Sequence, residues 1–176
     1  MTTPLKAVAA GGNSAELREW VAGDFLPVAN GGTGATTAAA ARSNLGLGAA
    51  AVAAILGTVS QSGGVPTGAI FQTGSNANGE FIRFASGWQI CTLSESRNYN
   101  VTLLADGLYY DSQAWNYPAA FIAAPVTQHS VRISGRIVMG SPSDLTSTSA
   151  AFFAISGASI SGNGVTRHLA IGRWFQ

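Results

Sequence analysis

Five carboxylates lie in the C-terminal two-thirds of the chain: Glu80, Glu95, Asp106, Asp111 and Asp144. Polysaccharide cleavage needs two placed carboxylates, one to protonate the leaving oxygen and one to act as base or nucleophile. The nearest pair is Asp106 and Asp111, on either side of Gly107-Leu-Tyr-Tyr110. Asp106-Gly107 is also an ordinary turn pair, because Asp tolerates the left-handed region and bonds its own backbone. Turn chemistry is the reading adopted for it. No Ser/His/Asp constellation emerges from sequence order, and no Gly-rich run leads to the Lys-Ser or Lys-Thr that cradles phosphate. His129 and His168, the two histidines, have no partner at metal-ligand spacing. The alternation puts His168 outward, on the face opposite Leu169. No catalytic residue, metal or cofactor is expected.

Sugar binding asks for other equipment: aromatic faces against C–H patches, with fixed amide, hydroxyl, carboxylate or guanidinium groups beside them. Tyr109, Tyr110, Asp111 and Trp115, with Gln113 and Asn116, supply it in one loop-like segment. Arg132 and Arg136 share the polar face of one expected strand and suit acidic saccharide or phosphate. Competing readings are edge packing for the tyrosines, burial for Trp115 and Tyr117, and pairing of the arginines with carboxylates of a sister chain. Trp174 is expected in the core or at an interface.

Only 17 of the 176 side chains are charged, nine basic and eight acidic, against about 25% in an ordinary soluble domain. So few cations exclude a nucleic-acid footprint and a polybasic membrane anchor. A polar surface built from Ser, Thr, Asn and backbone fits burial between subunits or contact with a neutral polar ligand. Cys91 stands alone, so no internal disulfide forms; beside Ile90 it reads as a small buried hydrophobe. The start MTTPLKAVAAGGN lacks the apolar stretch of a secretory signal. The most apolar window, Leu45 to Val59, has 15 residues including three Gly, short of the roughly 20 a membrane span needs. Synthesis and folding in a cytoplasm, without export by the usual route, are expected.

Composition changes near residue 60. Of 16 aromatic residues, only Trp20 and Phe25 precede it, so a self-sufficient core belongs to the later part. Residues 1–59 read as short helices and extended loops: a helix capped by Ser14 that carries Leu17, Trp20 and Val21, an extended Phe25–Val28, a helix Thr37–Leu45 with Thr36 as cap, and another over Ala49–Leu56. Pieces this short need partners, and copies of the same chain are the natural ones. Residues 60–68 (SQSGGVPTG) have linker composition. Beyond them strands dominate: Glu80–Ala85 and Trp88–Leu93 about a Ser86-Gly87 turn, Tyr99–Leu104, a single strand Val131–Met139, Phe152–Ser156 and Val165–Phe175. Turns are expected at Asp106-Gly107, Ser141-Pro142 and Gly162-Asn-Gly164. The fold class is mainly β, an antiparallel β-sandwich over residues 69–176 behind a self-associating N-terminal segment of short helices and extended loops.

The run Val28-Ala-Asn-Gly-Gly-Thr-Gly-Ala-Thr-Thr-Ala-Ala-Ala-Ala-Arg-Ser-Asn-Leu-Gly-Leu-Gly48 resembles a module of bacteriophage tail fibres. The later part resembles the C-terminal domain of such fibres, through Asn78-Gly-Glu-Phe-Ile-Arg-Phe84, Ser86-Gly-Trp-Gln-Ile90, Tyr117-Pro-Ala-Ala-Phe121, Ala124-Pro-Val126 and Ala170-Ile-Gly-Arg-Trp-Phe175. The resemblance covers about two-thirds of the chain. It implies a homotrimeric fibre end with an H-type-lectin-like sandwich that binds lipopolysaccharide or capsule on a host bacterium. Residues 1–59 would attach it to other virion proteins, without membrane insertion. Phage-derived bacteriocins and gene transfer agents use similar fibres. A single Gly-Gly-Thr-Gly copy after Met1 fits a short fibre, a head fibre or the tip of a longer assembly. The alternatives are a purely structural head fibre or collar protein and, less favoured, a depolymerase.

Overall fold

Glycine-containing reversals set where this chain turns, and small residues set where its layers meet. The computed structural model describes residues 5–9, 15–19, 21, 24, 26, 28 and 32–176. It divides into two compact units, Met1–Val52 and Ala53–Gln176.

In the first unit β1 (Leu5–Ala9) and β2 (Ala15–Glu19) pair antiparallel, and Lys6 forms an ion pair with Asp24. The helix expected after Ser14 is therefore corrected to a strand: Leu17 pairs with Ala7 across a hairpin. Trp20, Phe25 and the cap at Ser14 lie outside the described residues. The helix of the Ala-rich run is present as α1 (Ala38–Asn44). Its cap is Thr37, one residue later than expected, whose Oγ1 accepts from Ala40 N–H at 3.1 Å. The preceding glycines have a steric cause. A Cβ on Gly32 would fall 2.0 Å from the Leu26 carbonyl oxygen, and Gly34 sits at φ +62°. Asn44 then ties the helix end to this turn, donating to the Thr33 and Gly34 carbonyls at 3.0 and 2.9 Å. Of the expected second helix only a single 3-10 turn, Ala49–Ala51, forms.

The second unit opens with a small hairpin, β3 (Gln61–Ser62) and β4 (Val65–Pro66), about Gly63-Gly64. The stretch expected as a joint thus carries its own turn. Nine strands follow: β5 (Phe71–Asn76), β6 (Gly79–Phe84), β7 (Trp88–Val101), β8 (Leu103–Ala105), β9 (Leu108–Asn116), β10 (Val126–Ile133), β11 (Arg136–Leu145), β12 (Ser149–Ser156) and β13 (Ile160–Arg173). They form one antiparallel sheet in the order β5-β6-β7-β13-β10-β11-β12-β9-β8. The sheet folds over at β11, whose first residues pair with β10 and whose later ones pair with β12. Gly140 occupies that corner, where a Cβ would meet the His129 carbonyl oxygen at 2.4 Å; a glycine at a sheet corner is the expected solution. Folding lays β12 and β9 over β10, β13 and β7. Trp115 of β9 stacks on His168 of β13 with ring centroids 4.9 Å apart, and Phe152 of β12 stacks on His129 of β10 at 4.5 Å.

The core between the layers includes Tyr99, Val101, Trp115, Ile133, Phe152 and Ala170. Cys91 is fully buried, as its neighbours predict, and burial pushes its thiol up. Two expected turns are corrected. Gly162-Asn-Gly164 lies inside β13, where a side chain at Gly164 would strike the Tyr99 ring and the Arg132 carbonyl at 2.8 Å. Ser141-Pro142 lies inside β11, and a register shift between Pro142 and Leu145 absorbs the proline. The Asp106-Gly107 turn stands as expected, with φ of 50° and 78°.

Candidate functional site

The segment picked out for sugar contact, Tyr109 to Trp115, is strand β9 rather than a loop, and alternation sends its residues to opposite faces. Tyr109, Asp111, Gln113 and Trp115 point toward the other layer, whereas Tyr110 points away and packs edge-on against Phe153 at 5.4 Å. Trp115 is 2% exposed, and its Nε1 donates to the Asn78 carbonyl at 2.8 Å. It is a core residue. Tyr109 is half-buried against the same core. Asp111 bonds within the chain, accepting from the Asn100 N–H at 2.8 Å and from Gln113 Nε2 at 3.0 Å.

Arg132 and Arg136 are also separated. The expected strand Val131–Met139 is a hairpin, broken by Ser134 and Gly135 at φ 48° and 79°, as a two-residue primed turn requires. Ile133 pairs with Arg136 and Arg132 with Ile137. Directly opposed residues share a face, so Arg136 lies on the side of buried Ile133 and Arg132 on the solvent side. Arg132 borders a shallow depression of about 390 Å³ with Ser96, Ser134 and Asn163, floored by Gly135, Gly164 and Val165. Tyr110 lies on the outer face of the opposite layer. One chain therefore does not join the tyrosines and arginines into a single site.

The histidines were misplaced by the sequence pattern. His129 and His168 are directly paired across β10 and β13, only 5% and 3% exposed, with their Nδ1 atoms 2.7 Å apart. The alternation had set His168 outward, opposite Leu169. The interior is filled instead by Trp115 and Phe152 from the facing layer, leaving β13 to supply Gly164, Thr166, His168 and Ala170. The available signal was parity: His129 shares its alternation with Val131 and Ile133.

Around this pair runs a polar chain. His168 Nε2 meets Glu95 Oε1 at 2.9 Å, and Arg97 bridges Glu95 at 2.7 Å and Gln113 Oε1 at 2.5 Å. A carboxylate only accepts, so His168 donates from Nε2. Its bare Nδ1 then accepts from His129 Nδ1–H, and His129 Nε2 is left as a buried lone pair without a donor. Burial and the adjacent His168 push His129 down to about 4. Burial also lowers His168, against the pull of Glu95. Tyr99 hydroxyl bonds Thr166 nearby. Among the described residues neither ring bonds a thiol or hydroxyl; the pair joins β10 to β13 beneath Trp115 and Phe152 of the other layer. Among the described residues no three His, Cys, Asp or Glu side chains gather as metal ligands would, and no helix is long and apolar enough to cross a membrane.

No family model matches this sequence, and no curated protein matches it. Solved structures do. A P. aeruginosa R1 pyocin fibre is similar over 85% of this chain and 35% of its own, with 20% identity and a TM-score of 0.51. An N-truncated R1-type pyocin tail fibre is similar over 79% of this chain and 98% of its own, with 18% identity and a TM-score of 0.48. The chain thus spans about a third of the length of the first of these, and it shares that protein's fold.

Proposed function

We propose that this chain is the receptor-binding end of a phage-like tail fibre, a non-enzymatic homotrimer that holds its particle to host surface polysaccharide, as lipopolysaccharide or capsule. The observation that carries this reading is one combination in one chain. A sandwich with the fold of a pyocin fibre follows a Gly-Gly-Thr-Gly-Ala-Thr-Thr turn and helix of the kind phage fibres use.

Two surfaces support self-association. Helix α1 buries none of its residues, and Leu45, Leu47 and Val52 after it in the same unit are exposed. The outer face of β12, β9 and β8 carries Phe153, Ile155, Tyr110, Leu103 and Leu108 and no charge, which suits burial against sister chains. The carboxylates support a binding role over a hydrolytic one: Glu95 and Asp111 are engaged within the polar chain, and Asp106 sits in a turn. Residues 1–59 would reach the particle. Three weak sites per fibre, and several fibres per particle, would raise avidity without new contacts.

Adsorption tests this directly. Labelled protein is expected to bind host cells and to lose most binding when surface polysaccharide is stripped. Equal binding to stripped cells would overturn the reading, as would shortening of the purified polysaccharide on incubation.

A further inference from the structure

The outer face of β7, β13 and β10 carries three arginines and no carboxylate. Arg173 is occupied, lying over the Trp88 ring at 5.6 Å and donating to the Phe175 carbonyl at 3.1 Å. Arg132 and Arg167 make no hydrogen bond or ion pair among the described residues, and both are exposed. The ladder sets Arg132 opposite Val165 and Arg167 opposite Ser130. The two are therefore diagonal neighbours, roughly 7–8 Å apart. Two long cationic side chains rooted this near on one face can close on a single anion. Among the described residues no carboxylate bonds either arginine: Glu95 points inward to His168, and Glu80, which lines a depression with Ser94 and Arg167, forms no ion pair with it.

We propose that Arg132 and Arg167 form the recognition point for an acidic saccharide, a sugar bearing carboxylate or phosphate. The guanidinium fork matches either anion. Ser96 and Ser94 stand opposite Val165 and Arg167 on β7, and Asn163 and Ser134 close the depression at the hairpin end; these groups face the sugar hydroxyls. The depression beside Arg132, floored by Gly135, Gly164 and Val165, has a volume of about 390 Å³, within the usual range for small-ligand sites; Arg167 borders the neighbouring depression with Ser94. Sequence spacing had paired Arg132 with Arg136; the Ser134-Gly135 turn replaces that partner with Arg167. The inference rests on the glycan-attachment reading and adds the charge of the ligand and the residues that read it.

The test is surface plasmon resonance of the full chain over immobilised polygalacturonate, phosphorylated dextran and plain dextran. Binding to either or both charged polymers, with little to plain dextran, is the expected result; which polymer binds assigns carboxylate or phosphate. Arg132→Gln with Arg167→Gln should lower apparent affinity at least tenfold while the melting temperature stays unchanged, and Arg136→Gln should not. Equal binding to plain dextran, no binding to either charged polymer at millimolar repeat unit, or equal loss from Arg136→Gln would each overturn it. Host adsorption separates the two proposals. A double variant that still adsorbs in a polysaccharide-dependent way sinks this site and spares the attachment reading. Arginine-dependent binding to a charged polymer, with adsorption indifferent to polysaccharide, does the reverse.

Discussion

The sandwich has two outer faces of different chemistry. That of β7, β13 and β10 sets Arg132 and Arg167, which pair with no carboxylate among the described residues, among serines and asparagines, with Trp88, Val126 and Ile171 toward its other end. That of β12, β9 and β8 carries aromatic and aliphatic groups and no charge. Both come from a single folded sheet, so strand pairing does not explain the difference. The polar face can hold an anionic ligand while staying hydrated. The apolar face leaves Leu103 55% exposed and gains by leaving water, at about 25 cal/mol per Å² of apolar area buried.

The largest expected effect follows from placing a charge on the apolar face. Phe153→Asp would set a carboxylate beside Tyr110 and Ile155; under the proposed burial of this face against a sister chain it would be left unpaired, at a cost of several kcal/mol. Light scattering is expected to shift from about three chains to one, while Arg132→Gln with Arg167→Gln stays trimeric. Reversed outcomes would exchange the roles of the two faces.

These faces were only partly legible in the sequence. The strands around Ser86-Gly87 and Asp106-Gly107 could be read because turn pairs and alternation agree there. Val131–Met139 could not, because its alternation runs without interruption through Ser134-Gly135, and parity alone does not reveal a reversal. That one missed turn put Arg136 on the wrong face. Trp115 and the histidines were misread for a related reason. Which side of β13 is inside depends on rings arriving from a distant part of the chain, and no local pattern records them. The glycines of the Gly-Gly-Thr-Gly run were recognisable as a turn, but the Leu26 carbonyl that excludes a side chain at Gly32 appears only in the fold.

An intermediate effect is expected from the interior that separates the two faces. His129 is held near 4, and His168 is lowered as well, whereas both titrate near 6.5 in an unfolded chain. The unfolded state therefore binds more protons in this window. Stability is fully present above about pH 6.5 and declines as pH falls toward 4. Melting temperature measured across pH 7 to 4 should fall progressively, and His129→Leu should flatten the upper part of that fall. A profile flat from pH 7 to 5 in the native chain would show that the pair is not buried neutral.

The smallest effect is expected at Ile137, which pairs with Arg132 on the polar face and is 93% exposed. Nothing within the chain covers it, so Ile137→Ser should change unfolding free energy by less than about 0.5 kcal/mol, the usual range for exposed positions. It should also leave the number of associated chains unchanged. Its value lies in what a larger effect would mean. If urea unfolding of the assembled protein shows a loss above about 1 kcal/mol, beyond any exposed-site cost, Ile137 is covered by another chain. The arginine face would then be part of the subunit contact, and the division between a ligand-binding face and an assembling face would fail at its most exposed residue.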